Sequence, residues 1–88
     1  MTTIHKLKID EVYLDALLSG EKTFEIRYND RGYQRGDTLN FHSQRLCKLQ
    51  GLDCGGESYF NVLYVHSGLG LEKNYVAMAV LQVNKEGK

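Results

Sequence analysis

Apolar and polar positions alternate over residues 3–9, "TIHKLKI", and the period of two predicts a first strand. His5, Leu7 and Ile9 share one face of it, and Ile4, Lys6 and Lys8 the other, so His5 reads as a satisfied core histidine. The period then changes. "EVYLDALLS" (11–19) carries Val12, Tyr13, Ala16 and Leu17 at helical spacing, with Asp10 placed to cap its start and Glu11 suited to the positive end of the helix dipole. Gly20 stands where a left-handed C-terminal cap belongs, which ends the helix near Ser19. Further strands are predicted over 23–28, 38–42, 58–66 and 75–83. Residues 29–37 are dense in turn formers, and 67–74 form a glycine-rich connection. Periodicity disappears over 43–57, which reads as a flexible loop, and 84–88 read as a frayed tail.

One helix cannot cover both faces of five strands. The economical solution is an α+β, mainly β fold, in which a strongly bent sheet curls into a small five-stranded barrel. The helix, after strand 1, then plugs one end. Eighty-eight residues leave room for one core, so 1–88 are read as a single domain.

Composition narrows the function classes. The chain is 42% hydrophobic and 25% charged, ordinary for a soluble globular protein. Eleven Lys/Arg balance eleven Asp/Glu, which argues against non-specific gripping of duplex phosphates, although a neutral total can still contain a small positive cleft. No apolar run has the length of a membrane span, and "MTTIHKLKID" lacks the apolar centre of a signal peptide. A cytoplasmic protein with no membrane partner is therefore expected, and a monomer is the default. In a reducing compartment Cys47 and Cys54 are free thiols, and their C-x6-C spacing fits no common zinc pattern. No metal and no cofactor are expected.

The stretch "GEKTFEIR" (20–27) raises a question that composition does not answer. Alternation puts Phe24 and Ile26, and with them Tyr28, on one face and Thr23, Glu25 and Arg27 on the other. With Phe24 and Ile26 assigned to the core, the charges fall outside, on a solvated strand face whose cross-strand pairs are worth a few tenths of a kcal/mol. The alternative is that they line a site.

Gly20, Lys22, Glu25 and Arg27 match the G-x-K-x-x-E-x-R motif, and the chain resembles the ASCH domains, a branch of the PUA-like superfamily. Residues 4–41 are similar to the start of a small ASCH-like family of phages and prophages. The likeness includes residues 5–9, Asn29, Asp30 and Arg31, and the turn at Gly36 and Asp37, while residues 68–80 resemble that family's glycine-rich loop and last strand.

The resemblance implies a β-barrel with a cleft beside the first helix, binding RNA or a nucleotide, with the motif residues lining the cleft. The Arg27 fork suits a phosphate or a base edge, Glu25 can orient it or accept from an exocyclic amine, and Lys22 is a mobile phosphate partner. Tyr33, on a loop, is expected to be exposed and able to stack on a base. Asn29, Asp30, Arg31, Gly36 and Asp37 are expected to shape the turn. One ASCH-like group is an amidohydrolase of acetylated cytidine, in which a lysine at the Lys22 position activates a threonine. Here Glu25 occupies the nucleophile's place and Thr23 stands near it, so the resemblance also implies a second expectation, an amidohydrolase of a modified nucleoside using Lys22, Thr23 and Glu25. A third is a phage-encoded module binding a host protein through 43–57, where Leu46, Leu49 and Leu52 have near-helical spacing.

Overall fold

The computed structural model describes residues 3–42 and 57–83. Along the chain run β1 (Ile4–Lys8), α1 (Glu11–Ser19), β2 (Phe24–Tyr28), β3 (Thr38–His42), β4 (Glu57–Ser67) and β5 (Tyr75–Val83). The mainly β fold with one helix after strand 1 is as expected. The loop assigned to 43–57, with Cys47, Cys54 and the three leucines, lies outside the described residues, except that Glu57 already belongs to β4. The tail at 84–88 lies outside them too.

The five strands form one sheet in the order β1-β3-β4-β5-β2, with β1 parallel to β3 and every other pair antiparallel. β1 and β2 therefore sit at opposite edges. In a flat sheet the edges would be about 19 Å apart, at about 4.8 Å per strand pair. Instead Arg27 Nη2, on β2, donates to the Lys8 carbonyl at the end of β1 at 2.7 Å. The sheet is curled into a half-barrel, and β1 and β2 face each other across its seam.

A bulge in β4 contributes to the curl. The register with β5 shifts between Val62 and Tyr64, so Leu63 is the extra residue. Phe60 and Val62 point into the core before it and Val65 packs against the core after it. An extra residue of this kind bends its strand and raises the local twist. Leu7, Leu39, Phe41, Phe60 and Met78 fill the concave side, and Leu17 of the helix closes it.

The helix departs from its expected face. Val12 and Tyr13 are exposed, and Leu14 and Leu17 are the buried pair. Three residues apart, these two leucines share one helix face, and Leu17 joins the core cluster of the sheet. Gly20 adopts φ +85 and its N–H donates to the Leu17 carbonyl at 3.3 Å, as the C-cap reading requires. Asp10 has an extended N-cap backbone, but its carbonyl rather than its side chain accepts, from Leu14 N–H at 3.0 Å.

His5 is buried and bonded, as expected of a core histidine. Its Nε2 donates to Asp37 Oδ2 at 2.9 Å, the direction an ionised carboxylate imposes, and Asp37 also accepts from the Gln34 and Thr3 backbone N–H groups. The turn at Gly36 and Asp37 is thereby tied to β1. Burial pushes the Asp37 carboxyl up, but the bonds from His5, Gln34 and Thr3 outweigh it and hold the pKa below the ordinary 3.8. A carboxyl depressed in the folded state stabilises the fold above its unfolded pKa, and that contribution is lost as pH falls through the folded value. Asp37→Ala is expected to lower the unfolding free energy by about 2 kcal/mol or more in urea at neutral pH, because it strands buried donors. The gap between wild type and variant should narrow as pH falls below 3.8 and through the lowered folded value. A gap independent of pH would mean that the carboxylate charge has no part in the turn.

Candidate ligand cleft

Strand β2 is inverted relative to the alternation reading. Glu25 is 4% exposed, whereas Phe24 and Ile26 are 47% and 48% exposed and Tyr28 is exposed as well. The cause lies in the pairing. Glu25 stands opposite Met78 and Arg27 opposite Val76, and both β5 partners point into the core. At this edge of the half-barrel the concave side opens into the seam, so the inward positions of β2 can carry charge.

Those charges form one cluster. Lys22 Nζ donates to Glu25 Oε1 at 3.0 Å, and Arg27 Nε donates to Glu25 Oε2 at 2.8 Å. Both carboxylate oxygens are engaged, so Glu25 positions the two cations. Lys22 N–H donates to the Ala16 carbonyl at 3.0 Å, fixing the turn after the helix, and its ammonium lies 4.3 Å from the centre of the Tyr13 ring. Arg27 also stacks near Phe41, at 5.5 Å. After these bonds Lys22 keeps two N–H donors and Arg27 three that have no partner among the described residues.

The cluster lines an open cleft of about 1540 Å³ along the seam. Among the described residues five cations border it (Lys6, Lys8, Lys22, Arg27 and Arg31) against three carboxylates (Asp10, Glu25 and Asp30), a net charge of +2 when histidine is counted as uncharged. Aromatic rings stand among them, from Tyr13, Phe24, Tyr28, Tyr33 and Tyr75. The small positive cleft that a neutral total permits is thus present.

The remaining expected site residues divide. Tyr33 is buried rather than exposed, at 5%, because its ring packs edge-on against His5 with centroids 4.8 Å apart. Burial pushes its phenol up, and the nearby Arg27 and Arg31 offset this only in part. It forms a wall of the cleft and has little face to offer a base. Asn29 shapes the loop, its Oδ1 accepting from Tyr33 N–H at 2.9 Å, and Gly36, at φ +94, donates to the Val62 carbonyl. Asp30 and Arg31, read as turn residues, are exposed and border the cleft. Thr23 is exposed and is not among the lining residues. Its carbonyl accepts from Val80 N–H at 3.0 Å.

Sequence reasoning missed Lys6, Lys8, Tyr13, Phe24, Tyr28, Tyr75 and His42 as lining residues. The alternation put Lys6 and Lys8 on the outer face of β1, but no local signal says that this edge meets β2. Among the described residues no group of three or more His, Cys, Asp or Glu side chains could hold a metal ion, and no helix is long and apolar enough to cross a membrane.

The chain belongs to the family described as "Domain of unknown function (DUF3850)", which matches it over residues 4–80. It is also similar to an "Uncharacterized 12.9 kDa protein in GpA 3'region" of Escherichia phage P2, with 48% identity over 42 residues. That match spans 48% of this chain and 38% of the phage protein.

The burial of Glu25 separates a clasp from ordinary surface charges. Glu25→Ala leaves two cations facing each other at a partly buried site and is expected to cost about 3 kcal/mol in urea denaturation. A solvated strand pair would cost less than about 1 kcal/mol. The smaller value would return Glu25 to the surface.

Proposed function

We propose that this protein binds RNA or a nucleotide in the seam cleft, with Lys22 and Arg27 as the anion-recognising pair and Glu25 as the residue that aims them. The observation that carries this reading is the pairing of spare, directed N–H donors with a net positive, aromatic-lined cleft on a chain of zero net charge. A guanidinium fixed on two sides presents its remaining donors in one plane, the arrangement that suits a phosphate or a base edge. Aromatic rings beside cations suit the bases that follow. The G-x-K-x-x-E-x-R pattern of Gly20, Lys22, Glu25 and Arg27 supports a kinship with ASCH domains of the PUA-like superfamily, and this reading agrees with it. Nothing in it requires catalysis.

The test is an amide-resolved NMR titration with short single-stranded RNA and with cytidine monophosphate. Shifts should cluster on residues 20–31 and the facing end of β1. Arg27→Lys keeps the charge but loses the fork, and should weaken binding by about tenfold, the loss of roughly one charge-assisted bond. Unchanged affinity in the folded variant would remove Arg27 from the site, and no shifts at millimolar ligand would reject the reading.

A further inference from the structure

The inversion of β2 has a second side. With Glu25 and Arg27 turned inward, Phe24, Ile26 and Tyr28 stand on the convex face of the sheet. The register places Ala79, Ala77 and Tyr75 of β5 beside them, and Tyr64 and His66 of β4 beyond the two alanines. No charged side chain occurs in these rows. The alanines make a low floor, and the flanking strands are about 9–10 Å apart, so the surface is a shallow trough with aromatic sides. Tyr28 and Tyr75 close one end, edge to face with centroids 5.5 Å apart.

This trough is continuous with the cation cluster. Phe24, Ile26, Tyr28 and Tyr75 border the same cleft as Lys8, Lys22 and Arg27, and the Lys22 ammonium lies 5.5 Å from the Phe24 ring centre. An occupant of both must be anionic at one part and flat and apolar at the next. A second copy of the chain meets the condition poorly, because a two-fold pairing of this face brings the same net positive rim towards itself. A neutral apolar peptide leaves the rim unmatched. A nucleotide chain meets both demands, with bases that stack on any aromatic face and phosphates between them.

We infer that the ligand is a single-stranded oligonucleotide of more than one nucleotide, whose bases continue from the Lys22–Arg27 phosphate seat onto the Phe24–Tyr28–Tyr75 trough. The inference rests on the nucleotide-cleft reading and deepens it. Phe24 and Tyr28, four residues apart, are about 14 Å apart along β2, so they offer separate positions along the strand.

The experiment is a set of NMR-monitored titrations of the full chain with uridine monophosphate, the dinucleotide UpU and tetrauridylate, at one salt concentration. Affinity should rise at least about fivefold for each base added at the trough. In the double variant Phe24→Leu, Tyr28→Leu, which keeps an apolar surface and removes the rings, the ratio of tetrauridylate to monophosphate affinity should fall towards one. Both side chains are half-exposed, so the fold should survive, and an unchanged unfolding midpoint checks this. Equal affinity for monophosphate and tetrauridylate overturns the inference and leaves the cleft reading standing. So does a length gain that persists in the double variant. A wild-type dimer in sedimentation that the double variant abolishes, with no gain for length, assigns the trough to self-association and overturns it too. Failure of all three uridylates to bind rejects the cleft and the trough together.

Discussion

One buried carboxylate holds the seam together. Glu25 sits between Lys22 and Arg27, and Arg27 reaches across to the Lys8 carbonyl. Among the described residues the two edges of the five-stranded sheet are joined by this chain of bonds rather than by a sixth strand. An exposed sheet edge invites pairing with other chains, and curling the edges towards each other is one way to protect it. The clasp does so while leaving the seam open enough to form a cleft. Positioning the cations costs desolvation at Glu25, which two charge-assisted hydrogen bonds offset. The same inward turn of Glu25 and Arg27 exposes Phe24, Ile26 and Tyr28, so the positive cleft and the aromatic trough share one structural cause.

The elements were largely legible in the sequence. A change of period at Asp10 and a glycine cap at Gly20 mark the helix, and turn residues separate the strands. His5 could be assigned to the core because it alternates with Leu7, and its Asp37 partner lies in a turn singled out independently. The face of β2 was not legible. Alternation defines two faces but does not say which is covered, and apolar content is the usual guide. Here that guide fails, because the inward positions of β2 are fixed by pairing with Met78 and Val76 on β5, some fifty residues away. Tyr33 was misplaced for a similar reason. A tyrosine in a polar loop reads as exposed, yet this loop is folded back by the His5–Asp37 bond against the core. The G-x-K-x-x-E-x-R pattern did bring Lys22, Glu25 and Arg27 together in advance. Lys6, Lys8 and Tyr13 carry no such pattern and join the cleft only through the curl of the sheet.

The electrostatic layout shows how a chain of zero net charge can still carry a locally positive cleft. Among the described residues the cleft keeps a small excess of cations, while the Glu25 carboxylate is engaged by Lys22 and Arg27. Such a cleft exerts little long-range attraction, since a net charge of +2 is readily screened at physiological salt. In the nucleotide-binding proposal, recognition therefore depends on geometry, on how firmly the guanidinium is held and on the rings beside it.

The most direct measurement is the side-chain 15N–1H spectrum of Arg27 in the free protein. If Glu25 and Lys8 hold the guanidinium as described, its Nε–H gives a resolved signal that exchanges slowly with water and shows a nuclear Overhauser contact to Lys8. An Arg27 signal averaged with those of the exposed arginines and exchanging at their rate would contradict the clasp, and with it the origin assigned here to both the cleft and the trough.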